Sequence, residues 1–282
     1  MGKRLKHYLQ RIKEDGLSVR FWVSNFLTFF RISLPFSVFF DKETSSKLRL
    51  STASAAHKVF RDKYDPSLNK AVFKHFISPG DTVFDVGANI GMYTIFSSQL
   101  VGDAGKVYAF EPTRISFQNL ISNIALNKLG NVIPVYSAVS STNGLAEFVD
   151  HDQSKEQNYL LSSSGNNDPP VVRVSTVRLD TYLSNYNINE IDFLEIDVEG
   201  AELSVLKSLG EKICSVSAIF FESSPRMCRR YGYEVADVVN FLKQAGFKVL
   251  SPKLNEGKLK LSPFSANDSE VSGDLVAVKN HD

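Results

Sequence analysis

The chain has 282 residues, 43% of them hydrophobic and 22% charged, enough to bury one α/β core with some additions. Lysine and arginine number 32 against 31 aspartate and glutamate, a net charge of +1, so no bulk field gathers nucleic acid and none is expected as a partner. The two cysteines, Cys214 and Cys228, lack metal-ligand spacing and form no disulfide framework, which fits a reducing cytoplasm.

Residues 1–78 read as an N-terminal extension. Met1 to Arg20 is basic (Lys3, Arg4, Lys6, Arg11, Lys13, Arg20). Val19, Trp22, Val23, Phe26, Phe30 and Leu34 then recur at helical spacing. A membrane-spanning helix needs about twenty predominantly apolar residues, and Arg31 and Pro35 would fall in its middle. The stripe is therefore expected to dock on the protein's own core, with a basic helix lying on an anionic membrane surface as the alternative. No signal-peptide pattern is present, and a cytoplasmic location is expected. Phe36 to Phe40 and Lys47 to Leu50 alternate as a hairpin; Ala53 to Tyr64 and Asn69 to Phe76 read as short helices stopped by Pro79-Gly80.

Residues 79–282 read as one α/β domain. Thr82-Val83-Phe84 is a buried parallel strand that stops at Asp85. The chain turns through Gly87-Ala88-Asn89-Ile90-Gly91 into a helix, Met92 to Leu100, and a second strand, Val107 to Phe110, ends on Glu111-Pro112. Gly87 and Gly91 allow a tight turn and the close approach of a ligand, and Asn89 is expected to cap the helix. Asp85 can accept hydrogen bonds from a ligand ammonium, and Glu111 from both hydroxyls of a ribose. A ligand with ribose, amine and carboxylate but no phosphate suits this set, and S-adenosylmethionine is one. A nicotinamide dinucleotide asks instead for G-x-G-x-x-G, whereas the spacing here is Gly87-x-x-x-Gly91. An NAD(P)-dependent oxidoreductase remains the rival.

Ser116 to Asn127 follows as a helix and Val132 to Val139 as the third strand, with Ser137 and Ala138 where this fold commonly meets an adenine ring. Strands Leu145 to Asp150 and Val171 to Val177 flank a polar loop, 154–170, which reads as a substrate lid or a solvated hairpin, with His151 beside it. Asn167-Asp168-Pro169-Pro170 within that loop is a turn. Ile191 to Ile196 is the fourth parallel strand, and Asp197-Val198-Glu199-Gly200-Ala201-Glu202 enters the next helix. Ligands of a doubly wound sheet bind outside the carboxyl ends of its strands, so Asp197 and Glu199 share a crevice with Asp85 and Glu111. Glu202, three residues on, is expected to face the same way. These carboxylates suit a base, holders of sugar hydroxyls, or ligands of a divalent ion such as magnesium, Asp197 foremost. Ser215 to Glu222 is the fifth strand, ending at the crevice on Glu222-Ser223-Ser224-Pro225. Val235 to Ala245 is a helix, and Phe247 to Leu250 and Leu275 to Lys279 are final strands around a polar turn region, Leu261 to Gly273.

DVGANIGMYT (Asp85 to Thr94), AFEP (Ala109 to Pro112) and DFLEIDVEGAE (Asp192 to Glu202) resemble, in this order, the FkbM-type family of S-adenosylmethionine-dependent methyltransferases. The resemblance implies a Rossmann-like class I methyltransferase with a seven-stranded, mostly parallel sheet. It also implies a cofactor site that takes in Tyr93 and Pro112 along with the acids and glycines above. O-methylation of a sugar, glycan or secondary-metabolite hydroxyl is what the family would bring, with Asp197, Glu199 and Glu202 as the catalytic set. Similar proteins often carry Lys where this chain has Glu195, which leaves a catalytically inactive module of the same fold as a further alternative.

Overall fold

A computed structural model describes residues 36–41, 46–50, 67–149, 159–160, 171–265 and 272–280. The chain divides into two compact units. One, Met1–Val38 with Arg49–Asp65, lies almost wholly outside the described residues. The basic segment, the apolar stripe and the helix over 53–64 therefore lie outside the described residues, and so, in the other unit, do His151 and most of the 154–170 loop. The other unit, Phe39–Leu48 with Pro66–Asp282, carries the sheet.

The expected hairpin is present as β1 (Phe36–Asp41) and β2 (Ser46–Leu50). The second unit continues as α1 (Ser67–Phe76), β3 (Thr82–Val86), α2 (Met92–Val101), β4 (Lys106–Phe110), α3 (Arg114–Leu126) and β5 (Val132–Val135). After an excursion come α4 (Leu179–Asn185), β10 (Ile191–Ile196), α5 (Glu202–Lys207) and β11 (Val216–Ser223). The chain closes with α6 (Pro225–Arg230), α7 (Val235–Gln244), β12 (Phe247–Asn255), β13 (Lys258–Pro263) and β14 (Gly273–Lys279).

The sheet runs β13-β12-β14-β11-β10-β3-β4-β5. Its five strands from β5 to β11 are parallel, and β14 lies antiparallel between β11 and β12. Alternation along each strand explains the double winding. Phe84, Val86, Leu194, Ile196 and Phe221 meet Leu183, Leu206 and Leu242 of α4, α5 and α7 on one face. Val83, Phe193, Phe220 and Val276 meet Val72, Phe73 and Phe96 of α1 and α2 on the other. Phe73 is edge-on to Phe193 and Phe220, at 4.9 and 5.5 Å between ring centroids.

Two expectations change. The sheet has eight strands, because β13 pairs antiparallel with β12 where part of the polar turn region was expected. Glu256 and Gly257 both take positive φ, 49° and 74°, as the tight hairpin turn between them requires. Val132 to Val139 is also not one strand. It breaks at Tyr136-Ser137, and β6 (Ala138–Val139) joins a separate four-stranded sheet, β6-β9-β7-β8, with β7 (Gly144–Val149), β8 (Tyr159–Leu160) and β9 (Val171–Val177). Among the described residues no helix is long and apolar enough to cross a membrane.

Candidate active site

Successive strands diverge in sheet order between β3 and β10, and the chain leaves both at their carboxyl ends into tight turns. The Asp197 N–H donates to the Val86 carbonyl at 2.9 Å, and the N–H groups of Gly87 and Ala88 donate to the Phe110 carbonyl at 3.0 Å, locking three strand ends together. A Cβ on Gly87 would stand 2.0 Å from the Asp197 carbonyl oxygen, and one on Gly91 2.7 Å from Leu120 Cδ1. Both glycines thus make room for the protein's own turn and helix.

Asp85 is buried near the end of β3, which runs one residue further than expected, to Val86. Its Oδ2 accepts the Thr94 hydroxyl. Burial pushes this carboxyl up to about 6. Glu195 is its register partner on β10, and the two carboxyls share a side-chain hydrogen bond. Burial, then the Asp85 and Asp197 charges, hold Glu195 well above the usual carboxylate range. Two buried acids so placed cannot both ionise at neutral pH, and the pair keeps a proton between them.

At the end of β4, Glu111 is fixed from two sides. Oε2 accepts the Asn89 N–H at 2.9 Å, and Oε1 accepts the Thr113 N–H at 2.8 Å and its hydroxyl at 2.5 Å. Asn89 is not the helix cap: it sits in the left-handed region at φ 50°, and Gly91 occupies the N-cap position of α2. Its contribution is the backbone N–H that orients Glu111. Pro112 then leads the chain into α3. Tyr93 turns to α1, where its hydroxyl accepts from Asn69 Nδ2 at 2.6 Å and its ring lies 5.0 Å from that of Phe73.

Ser137 is buried, with its hydroxyl donating to the Ser175 carbonyl at 3.0 Å, and Ala138 packs with Phe148 and Val174 under the small sheet. The neighbouring Tyr136 is 52% exposed and stacks on Phe117 at 4.8 Å, just beyond the end of β5. Sequence reading passed over it, although an aromatic at the end of a core strand is a recognisable signal.

The second half of the site gathers acids. Asp197, Glu199 and Glu222 bring carboxylate oxygens within 4.8 Å of one another, the spacing of a group able to hold a cation. Ile196 pairs with Phe221, so Glu222 stands level with Asp197 on the next strand. The sequence placed Glu222 at the crevice; its meeting with Asp197 and Glu199 needed the register. Burial and then Asp197 and Glu199 push Glu222 up to about 9, and Asp274, its partner on β14, is pushed by burial to about 6. Glu199 and Glu202 do not share a helical face: Glu199 sits in a turn at φ 55°, before α5 begins. Glu202 is 1% exposed, and its Oε1 accepts the Gly200 N–H at 2.9 Å.

Residues 85–249, more than half of the chain, match the model of the methyltransferase FkbM domain. The chain belongs to the FkbM methyltransferase family. It is 27% identical, over 62% of its length and 66% of the relative's, to the hexuronic acid methyltransferase AglP of Haloferax volcanii. It is 30% identical to the 31-O-demethyl-FK506 methyltransferase FkbM of Streptomyces tacrolimicus, over 46% of this chain and 60% of that one. The chain thus spans less than two thirds of the length of either relative. Among solved structures, a SAM-dependent methyltransferase from Aquifex aeolicus aligns with a TM-score of 0.43 and 19% identity, over 80% of this chain and 97% of that one. The matched FkbM region contains all three sequence motifs together with Tyr136 and Glu222.

Proposed function

We propose that this chain is an S-adenosylmethionine-dependent O-methyltransferase acting on a hydroxyl of a sugar, a glycan or a secondary metabolite. The observation that carries the reading is the meeting of Asp197, Glu199 and Glu222 beyond β10 and β11, beside the strand ends that bear Asp85 and Glu111. The relatives' names, a hexuronic acid methyltransferase and a 31-O-demethyl-FK506 methyltransferase, support oxygen as the methylated atom.

The donor set fits the cofactor: two carboxylates at neighbouring strand ends suit ribose hydroxyls and an ammonium, and three donors fix Glu111 in place for the first of these. S-adenosylmethionine, when bound, supplies an electrophilic methyl group. Glu111 would accept from the ribose, Asp85 from the ammonium, and Tyr136 would offer a ring face to the adenine. Asp197 would take the acceptor's hydroxyl proton while Glu199 and Glu222 hold its other hydroxyls. The same three carboxylates suit magnesium, which would lower the pKa of that hydroxyl.

The test is transfer of labelled methyl from S-adenosylmethionine to a panel of uronic acids, neutral sugars and polyketide alcohols. Asp197→Asn keeps shape but removes basicity, so turnover should fall about a hundredfold or more while S-adenosylhomocysteine affinity holds. With a metal in the site, chelator abolishes wild-type turnover and magnesium or manganese restores it. Binding of NAD in place of S-adenosylhomocysteine would reject the assignment.

A further inference from the structure

Glu202 does not enter the crevice with Asp197, Glu199 and Glu222; its carboxyl is spent on a neighbouring peptide. Its Oε1 accepts the Gly200 N–H at 2.9 Å, and its Oε2 lies 3.3 Å from the Tyr233 hydroxyl. That hydroxyl donates to the Gly200 carbonyl and accepts the Leu203 N–H at 3.4 Å. Gly200 is therefore gripped at both polar ends, by a side chain from the first residue of α5 and by another from the segment between α6 and α7. A Cβ on Gly200 would stand 2.6 Å from the Met227 carbonyl oxygen, so α6 closes a third side.

The grip acts where the backbone is least content. Glu199 has φ 55° and Gly200 φ 106°. A glutamate gains nothing of its own from the left-handed region, which is strained for a residue with a Cβ. That conformation carries the Glu199 carboxylate to within 4.8 Å of those of Asp197 and Glu222.

We propose that Glu202 and Tyr233 are positioning residues that hold the Glu199–Gly200 turn left-handed and so keep Glu199 in the crevice, with Glu202 serving as a hydrogen-bond acceptor and not as an acid or base. The functional half of this rests on the crevice being the acceptor site of the proposed methyl transfer; the clamp itself does not. An acceptor role needs shape and an oxygen, whereas acid–base work needs a titrating group, and Glu202→Gln separates the two.

Two measurements on the full chain decide it. The first needs no acceptor: hydrogen exchange at the Gly200 amide, followed by NMR. Glu202→Gln should keep the wild-type protection, Glu202→Ala should lose about tenfold or more, and Tyr233→Phe should fall between. The second is turnover of whichever sugar in the panel is methylated fastest. Glu202→Gln should rescue kcat to within about threefold of wild type, and Tyr233→Phe should lower it about tenfold with S-adenosylhomocysteine affinity unchanged. Equal Gly200 exchange in wild type and Tyr233→Phe would overturn the clamp. So would a Glu202→Gln variant as inactive as Asp197→Asn while its Gly200 stays protected. Tyr233→Phe and Glu202→Gln are near-isosteric, so the outcome stands even where Glu202→Ala fails to fold. If no sugar is methylated the proposed reaction fails, and the exchange measurement still decides the clamp.

Discussion

A carboxylate held by three donors is a fixed feature of its site, and Glu111 has that status: the Asn89 N–H, the Thr113 N–H and the Thr113 hydroxyl all point at it. Glu111→Ala removes an acceptor for the ribose, each such charge-assisted bond being worth roughly 1.5–3 kcal/mol. S-adenosylhomocysteine affinity should fall at least about tenfold, and calorimetry on the folded variant showing unchanged affinity would dismiss the assignment. Glu111, Asp85 and Asp197 were legible in the sequence because an acid directly after a buried apolar run has one place to go in a parallel sheet. Glu202 was placed on a helical face with Glu199 because the motif reads as a helix start. The left-handed turn at Glu199 and Gly200 follows from contacts with Tyr233 and Met227, which are distant in sequence. Glu222 was visible as a strand end, but its partners come from the register of β10 on β11.

At the scale of elements, the site exists because the turns after β3 and β10 touch. Gly87 is the contact: its φ is 98°, and any side chain would collide with the Asp197 carbonyl. Gly87→Ala must either part the two turns or shift Asp197, at a cost of about 1–3 kcal/mol or more. A melting temperature several degrees lower is expected, with methyl transfer reduced further than stability alone explains. An unchanged melting temperature with full turnover would show that the turns do not depend on that contact. The strands themselves were readable as apolar runs, down to the hairpin of β1 and β2. The break between β5 and β6 was not, since Val132 to Val139 is apolar at both ends and only the pairing of Ala138 with Thr176 reveals a second sheet. The strand β13 was hidden for the opposite reason: its alternation of Lys258, Leu259, Lys260 and Leu261 is short and half polar, and it forms because the Glu256-Gly257 turn folds it onto β12.

Across the whole molecule, the buried acids in and around the crevice set how stability depends on pH. Asp85 and Asp274 are pushed to about 6, Glu202 to about 7 and Glu222 to about 9, while Glu195 lies well above its ordinary value, burial being the first cause in every case. In the unfolded chain these groups titrate near 3.8 and 4.5. Between those values and the folded ones the native state holds protons that the unfolded state has released, so stability falls as pH rises. Each such proton is worth about 1.4 kcal/mol per pH unit, and because the acids are coupled they release fewer protons than their number suggests. Asp180 acts in the opposite sense: the Arg178 hydrogen bond lowers it, and its contribution is lost only as pH falls below the ordinary aspartate range. Urea unfolding in the presence of chelator should therefore give a higher midpoint at pH 5.5 than at pH 8.5. Glu222→Gln should raise the pH 8.5 midpoint more than the pH 5.5 one, because a neutral amide removes the cost of keeping the buried Glu222 carboxyl protonated when the unfolded chain has released that proton. Magnesium or manganese bound at Asp197, Glu199 and Glu222 should flatten the same slope, since a cation allows the cluster to ionise without that repulsion. A midpoint that rises from pH 5.5 to 8.5, with Glu222→Gln following wild type throughout, would mean that these acids are already neutralised within the protein.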